Sequence, residues 1–124
     1  MAESSIRIAP VTSKKQLHSF ASFPWHIYRD DPYWVPPIYM DRLTLLNPEK
    51  HPFWEHAEGQ YFLALRGDEV IGTICAHVNH RHNEIHKDKV GFFGFFETID
   101  DDEVAGALFG AAEDWLRGQG MDAI

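Results

Sequence analysis

An α+β fold, mainly an antiparallel sheet flanked by helices, is predicted by three features of the 124-residue sequence. Two strand-like runs, 60–66 (QYFLALR) and 70–78 (VIGTICAHV), are joined by Gly67-Asp68-Glu69, a hairpin signature. The Phe-rich run 89–99 (KVGFFGFFETI) reads as a further long strand pairing with the second. Residues 100–119 then place Val104, Leu108, Ala111/Ala112 and Trp115 at helical spacing, which lays a helix back over the sheet.

Ahead of these elements, residues 5–11 alternate apolar and polar side chains and then meet a proline. They read as a short strand near a sheet edge, because Pro10 has no N–H for a ladder. Ser13 with Gln16 fits a capping box, so a helix is expected over 13–28 with Leu17, Phe20 and Ala21 on its apolar face. Pro24 should kink or end it. Residues 30–37 are dense in aromatics and proline and read as an ordered loop. A second short helix is expected over 38–46, stopped by Asn47-Pro48. The polar run 79–88 reads as a loop. Gly118 and Gly120 mark the end of the last helix, and residues 122–124 look like the opening of another strand. The expectation is therefore a single incomplete domain over 1–124, stopped after its third main helix.

Composition narrows the function. Hydrophobic residues are 44% and charged residues 24%, ordinary globular values. The net charge is −8 and no Lys/Arg cluster occurs, which argues against nucleic acid as a partner. No apolar run reaches a membrane span, and the opening MAESSIRIAPV lacks a leader's charged and apolar regions. A single Cys75 gives no disulfide framework, so a cytoplasmic, reducing location is expected. Nine Phe, four Trp and four Tyr are a heavy aromatic load for this length, and they imply a large core or an aromatic-lined groove.

Several residues carry candidate chemistry. His77, His80, His82 and His86 are dense enough to suggest a metal, with His80 and His82 the first ligands to consider. Their spacing matches no structural site, however, so a solvated loop is the plainer reading and no metal is expected. Glu97, among Phe95, Phe96 and Ile99, is a general-base candidate, although strict alternation would turn it outward. Cys75, between Ile74 and Ala76, reads as a small buried hydrophobe rather than a nucleophile. Trp25, Tyr28, Tyr33 and Trp34 either line a pocket for an apolar or acyl substrate or pack on the sheet. No GxSxG, P-loop or GxGxxG is present.

The order of elements, and FLALRGDEVIGTICAHV in particular, resembles the first part of the GNAT N-acetyltransferase superfamily. FPWHIYRDDPYWVPP, HPFWEHAEGQYFLA and GFFGFFETIDDDEVAGALFGAAEDWLRGQGM resemble a largely uncharacterised bacterial branch that includes a ceramide-forming acyltransferase. The resemblance implies a partial acyl-CoA N-acyltransferase fold and transfer of an acyl group from acetyl-CoA or a longer acyl-CoA to a small-molecule amine or lipid-like acceptor. It also implies cofactor contacts around Phe93, Phe95 and Glu97 on the fourth strand, and around Val104 and Ala105 at the next helix start. A base, Glu97 or His77, would take the amine proton.

The sequence departs from that family at the helix start. Asp100, Glu103 and Ala105 fall where the family's phosphate loop has Arg/Gln, Gly and Gly/Ala, and only Ala105 fits. Helix starts attract anions, but Asp100 to Glu103 already set four carboxylates there. Two further readings follow: a GNAT-shaped binding or assembly module without catalysis, and a metal-binding His-loop protein. The Phe-rich strand 89–99 would also form an unusually apolar sheet edge, so self-association through it is expected. On the truncated reading, the chain alone would be inactive.

Overall fold

The computed structural model describes residues 5–47 and 49–124; the helix stop assigned to Pro48 lies outside them. Four strands, β1 (Ile6–Pro10), β2 (Ala57–Arg66), β3 (Glu69–Asn79) and β4 (Phe92–Thr98), form one sheet in the order β1-β2-β3-β4. Every neighbouring pair is antiparallel, and β1 occupies an edge, where Pro10 does no harm to a ladder. Gly67 turns the β2–β3 hairpin at φ +62°, a conformation costly to side chains with a Cβ. The architecture is α+β, an antiparallel sheet with helices on both faces.

One face carries α1 (Lys14–Tyr28) and α2 (Tyr39–Leu46), and the other carries α4 (Asp102–Gly118). Alternation along the strands sorts the core into two layers. Phe62, Ile74 and Val78 meet Val104, Leu108 and Leu116 of α4. Leu63, Leu65 and Cys75 meet Phe20, Ala21 and Leu46 of α1 and α2. Each large side chain fully buried in these layers stabilises the fold by about 1.5–3 kcal/mol.

The capping box at Ser13 and Gln16 opens α1, with the Gln16 amide donating to Ser13 Oγ at 3.1 Å. Pro24 does not end this helix, which runs on to Tyr28. Phe20, Ala21 and Phe23 are buried beside it, so packing on the sheet outweighs the lost backbone bond.

The polar run 79–88 is not a loop throughout. It holds α3 (His80–His86), capped by Asn79, whose side chain accepts from the His82 amide at 3.0 Å. Lys87 then adopts a left-handed conformation at φ 57° and ends the helix. Asn83 ties α3 to the next segment, donating to the Val90 carbonyl at 3.1 Å. β4 begins only at Phe92. Before it, Val90 forms a parallel bridge with Ala123, with the Gly91 amide donating to the Ala123 carbonyl at 2.8 Å. No helix among the described residues is long and apolar enough to cross a membrane.

Candidate functional site

The pairing of β3 with β4 shifts register, and this shift decides which residues share a face. Gly94 pairs with Cys75 and Glu97 with Thr73, so Phe95 and Phe96 together stand opposite Ile74 alone. This is a bulge in which Phe95 takes φ +51°, a left-handed conformation that costs a non-glycine residue about 1–2 kcal/mol. Three contacts hold it. The buried Thr73 hydroxyl donates to the Phe95 carbonyl at 2.7 Å. The Phe95 ring packs near Phe20 and Tyr61, with centroids 6.0 and 6.4 Å away. The Arg42 guanidinium sits over that ring, 5.4 Å from its centroid.

Phe93, Phe95 and Glu97 would share one face of a regular strand; the bulge separates them. Phe93 lies against Phe109 of α4 at 5.0 Å, whereas Phe95 and Glu97 turn toward α1. Glu97 is therefore half-buried beneath α1 rather than turned outward as alternation would have it.

There it meets Tyr28, the last residue of α1, whose hydroxyl donates to Glu97 Oε2. This hydrogen bond, burial and the carboxylate charge together push the Tyr28 phenol up to about 12. Rings close around the pair. Trp34 lies 5.8 Å from Tyr28, Trp25 lies 5.6 Å from Trp34, and Tyr39 lies 5.6 Å from Trp25. The Tyr39 hydroxyl is 2.7 Å from His18 Nδ1. Tyr33 stands apart from the cluster, 91% exposed.

Arg42 adds a cation to this face. Its Nε donates to the Ala21 carbonyl at 2.7 Å, and burial lowers its pKa while the Glu97 charge opposes that shift. Arginine stays charged regardless. Sequence reading passed over Arg42, yet a signal was present: Tyr39, Arg42, Leu43 and Leu46 follow i, i+3, i+4, i+7, which puts a cation on an apolar helical stripe.

His77, the second base candidate, occupies another part of the same sheet face. Four residues along β3 from Thr73, the partner of Glu97, it is about 13 Å distant at strand rise. Its ring stacks on Phe92 at 5.7 Å and meets Phe53 edge-on at 5.5 Å. Burial lowers its pKa from 6.5, so the imidazole is neutral at pH 7. Glu97 and His77 thus form two separate centres. Cys75 lies between them at 1% exposure, with burial pushing its thiol up to about 12, which keeps it unreactive.

The histidines of α3 spread among separate partners. His80 Nε2 is 2.7 Å from Glu58, whereas His82 packs against His86 at 4.5 Å and Phe92 at 5.2 Å. Among the described residues, no three His, Cys, Asp or Glu side chains converge as a ligand set.

The start of α4 has its own anion. The Asp101 side chain accepts from the Glu103 amide at 2.9 Å, and its carbonyl accepts from the Ala105 amide at 3.2 Å. Arg66 holds the same carboxylate at 3.4 Å. Val104 is fully buried in the core. The Ala105 bond is the first ordinary turn of the helix, but the Glu103 amide, one of the free amides of this helix start, is taken by the Asp101 carboxylate, and that carboxylate fills the place where a coenzyme A diphosphate would sit, so this helix start does not fit it.

No family model matches the chain, and no solved structure matches it. It is 38% identical over 112 residues to Protein YghO of Escherichia coli (strain K12), covering 90% of this chain and 28% of that protein. It is 37% identical over 116 residues to the bacterial ceramide synthase of Caulobacter vibrioides (strain NA1000 / CB15N), covering 93% of this chain and 30% of that protein. The chain thus spans under a third of the length of these curated relatives. Over nearly all of its own length, it is similar to a protein named bacterial ceramide synthase.

Proposed function

We propose that this chain contributes the amine-binding face of a GNAT-like N-acyltransferase, which moves an acyl group from a thioester to the amine of a lipid-like acceptor. The observation that carries the reading is the Tyr28–Glu97 pair, set under an aromatic cluster in a chain similar to a bacterial ceramide synthase. A ceramide is an amide of a long-chain amino alcohol, so its synthesis joins an acyl carbonyl to an amine nitrogen.

In this reading the neutral amine attacks the thioester carbonyl. The N–C bond forms, the C–S bond breaks, and the thiolate departs. Glu97 takes the amine proton with the carboxylate oxygen that Tyr28 leaves free. Tyr28 fixes the carboxylate's orientation, and its raised pKa keeps the phenol a donor throughout the neutral range. The cluster of Trp25, Tyr28 and Trp34 offers the acceptor an apolar wall. Acyl-CoA remains the donor to test, docked elsewhere than the acidic helix start.

The test replaces the matching 116 residues of the Caulobacter enzyme with this chain. The hybrid is assayed by mass spectrometry for amide formation from acyl-CoA and a long-chain amino alcohol. Amide product supports the reading; a folded hybrid that makes none while the parent enzyme is active contradicts it.

The acidic start of α4 favours a second reading, a GNAT-shaped module that binds or assembles without catalysis. Replacing Asp100→Arg and Glu103→Gly discriminates: gain of acyl-CoA binding by calorimetry points to a lost site.

A further inference from the structure

Arg42 of α2 is half-buried, a position that an arginine seldom occupies without a partner for its charge. The fold fixes its guanidinium from two sides. Nε donates to the Ala21 carbonyl at 2.7 Å, and the group sits over the Phe95 ring, 5.4 Å from the centroid. Neither Nη group has an acceptor among the described residues, and neither is sealed from solvent. The fork is thus held in place while its outer donors stay free.

Glu97 turns to the same side of the sheet. Its charge acts on Arg42, yet no ion pair joins the two. Tyr28 takes one Glu97 oxygen and leaves the other free. Tyr39, beside Arg42, continues the aromatic cluster from Trp34 and Trp25 toward the guanidinium. One face therefore offers a fixed donor, a carboxylate oxygen and an apolar wall to a molecule from outside.

We propose that Arg42 reads an oxygen on the acceptor: its Nη groups donate to a hydroxyl on the carbon next to the amine-bearing carbon, while the amine lies at Glu97. The inference rests on the acyl-transfer reading for the amine, and it adds that the acceptor is an amino alcohol rather than a plain amine. A guanidinium only donates, so its partner must be an oxygen with a lone pair to give. Charge then selects the oxygen. The amine attacks in its neutral form, so a hydroxyl leaves the acceptor uncharged, which suits a site where the Arg42 and Glu97 charges offset each other. A carboxylate or phosphate would set an unbalanced negative charge beside Glu97, in a chain that already carries −8. The aromatic wall takes the rest of the acceptor chain.

The experiment titrates the native chain with three probes, read by tryptophan emission from the cluster. They are a medium-chain amino alcohol, the same amine without its hydroxyl, and the same amine with a carboxylate in place of the hydroxyl-bearing carbon. The amino alcohol is expected to bind roughly tenfold or more tighter than the plain amine. Arg42→Met, with its melting temperature followed in parallel, is expected to keep its affinity for the plain amine and bind the amino alcohol no better, a selective loss that general damage to the fold would not produce. If Arg42→Met does not fold, Arg42→Lys, which keeps the charge and loses the fork, takes its place and should lower the preference. Equal affinities in the native chain, tightest binding of the carboxylate probe, or no binding of any probe overturns the proposal whatever the variants do. So does a preference that survives in folded Arg42→Met. The acyl-transfer reading fails separately: a Caulobacter hybrid that makes no amide sinks that reading and leaves the preference standing, whereas amide formation with equal affinities sinks only the role of Arg42.

Discussion

At the scale of single residues, the site rests on where one carboxylate points. Glu97 lies under α1 because the bulge at Phe95 shifts the strand by one residue, and Tyr28 reaches it from the end of the helix. Removing the Tyr28 hydroxyl tests this contact. A folded-state pKa near 12 against 10 in the unfolded chain gives stability that is fully present below pH 10 and is lost as pH rises toward 12. Tyr28→Phe should therefore cost about 1 kcal/mol in urea unfolding at pH 8, with the gap to the native chain closing above pH 10. His77 works in the opposite direction. Burial depresses its pKa below 6.5, so the unfolded chain binds more protons and stability falls as pH drops from 6.5 through the folded value. His77→Gln should flatten that part of the stability curve; an unaltered acid slope would contradict burial of a neutral ring.

At the scale of elements, Gly91 shows how closely α4 approaches the start of β4. A Cβ there would lie 2.3 Å from Leu116 Cδ2 and 2.9 Å from its Cγ, and Leu116 is itself buried. Gly91→Ala should destabilise the chain by about 1–3 kcal/mol, read as a lowered urea midpoint. Much of this level was legible in the sequence, because hairpin, caps and helical spacing are local signals. Ser13 and Gln16 announce α1, and Gly67 announces the turn. The exceptions have physical reasons. α3 buries no residue, so no apolar periodicity marks it in the sequence; only Asn79 as a cap hints at a helix. Pro24 signals a kink or stop because its effect on the backbone is local, whereas the packing that carries α1 onward is tertiary. The bulge left no signal of its own: a glycine at 95 would have marked the left-handed turn, but a phenylalanine stands there.

At the scale of the molecule, the sheet has two unlike faces and one free side. No further strand of the sheet pairs with β4 among the described residues, and Phe93 on it is 47% exposed. Light scattering should show an average mass that grows with concentration; a constant monomer mass at high concentration would contradict association through this edge. The two base candidates are farther apart than their common sheet face suggests. Glu97 meets Tyr28 of the Trp25–Trp34 cluster, whereas His77 lies among Phe53, Trp54 and Phe92. On the acyl-transfer reading, Glu97 is the group that takes the amine proton. The most direct measurement is the turnover of the Caulobacter hybrid carrying Glu97→Gln, with its melting temperature followed in parallel. Loss of a proton acceptor should lower kcat roughly a hundredfold or more while the protein stays folded. An unchanged kcat in a folded Glu97→Gln hybrid would contradict the claim.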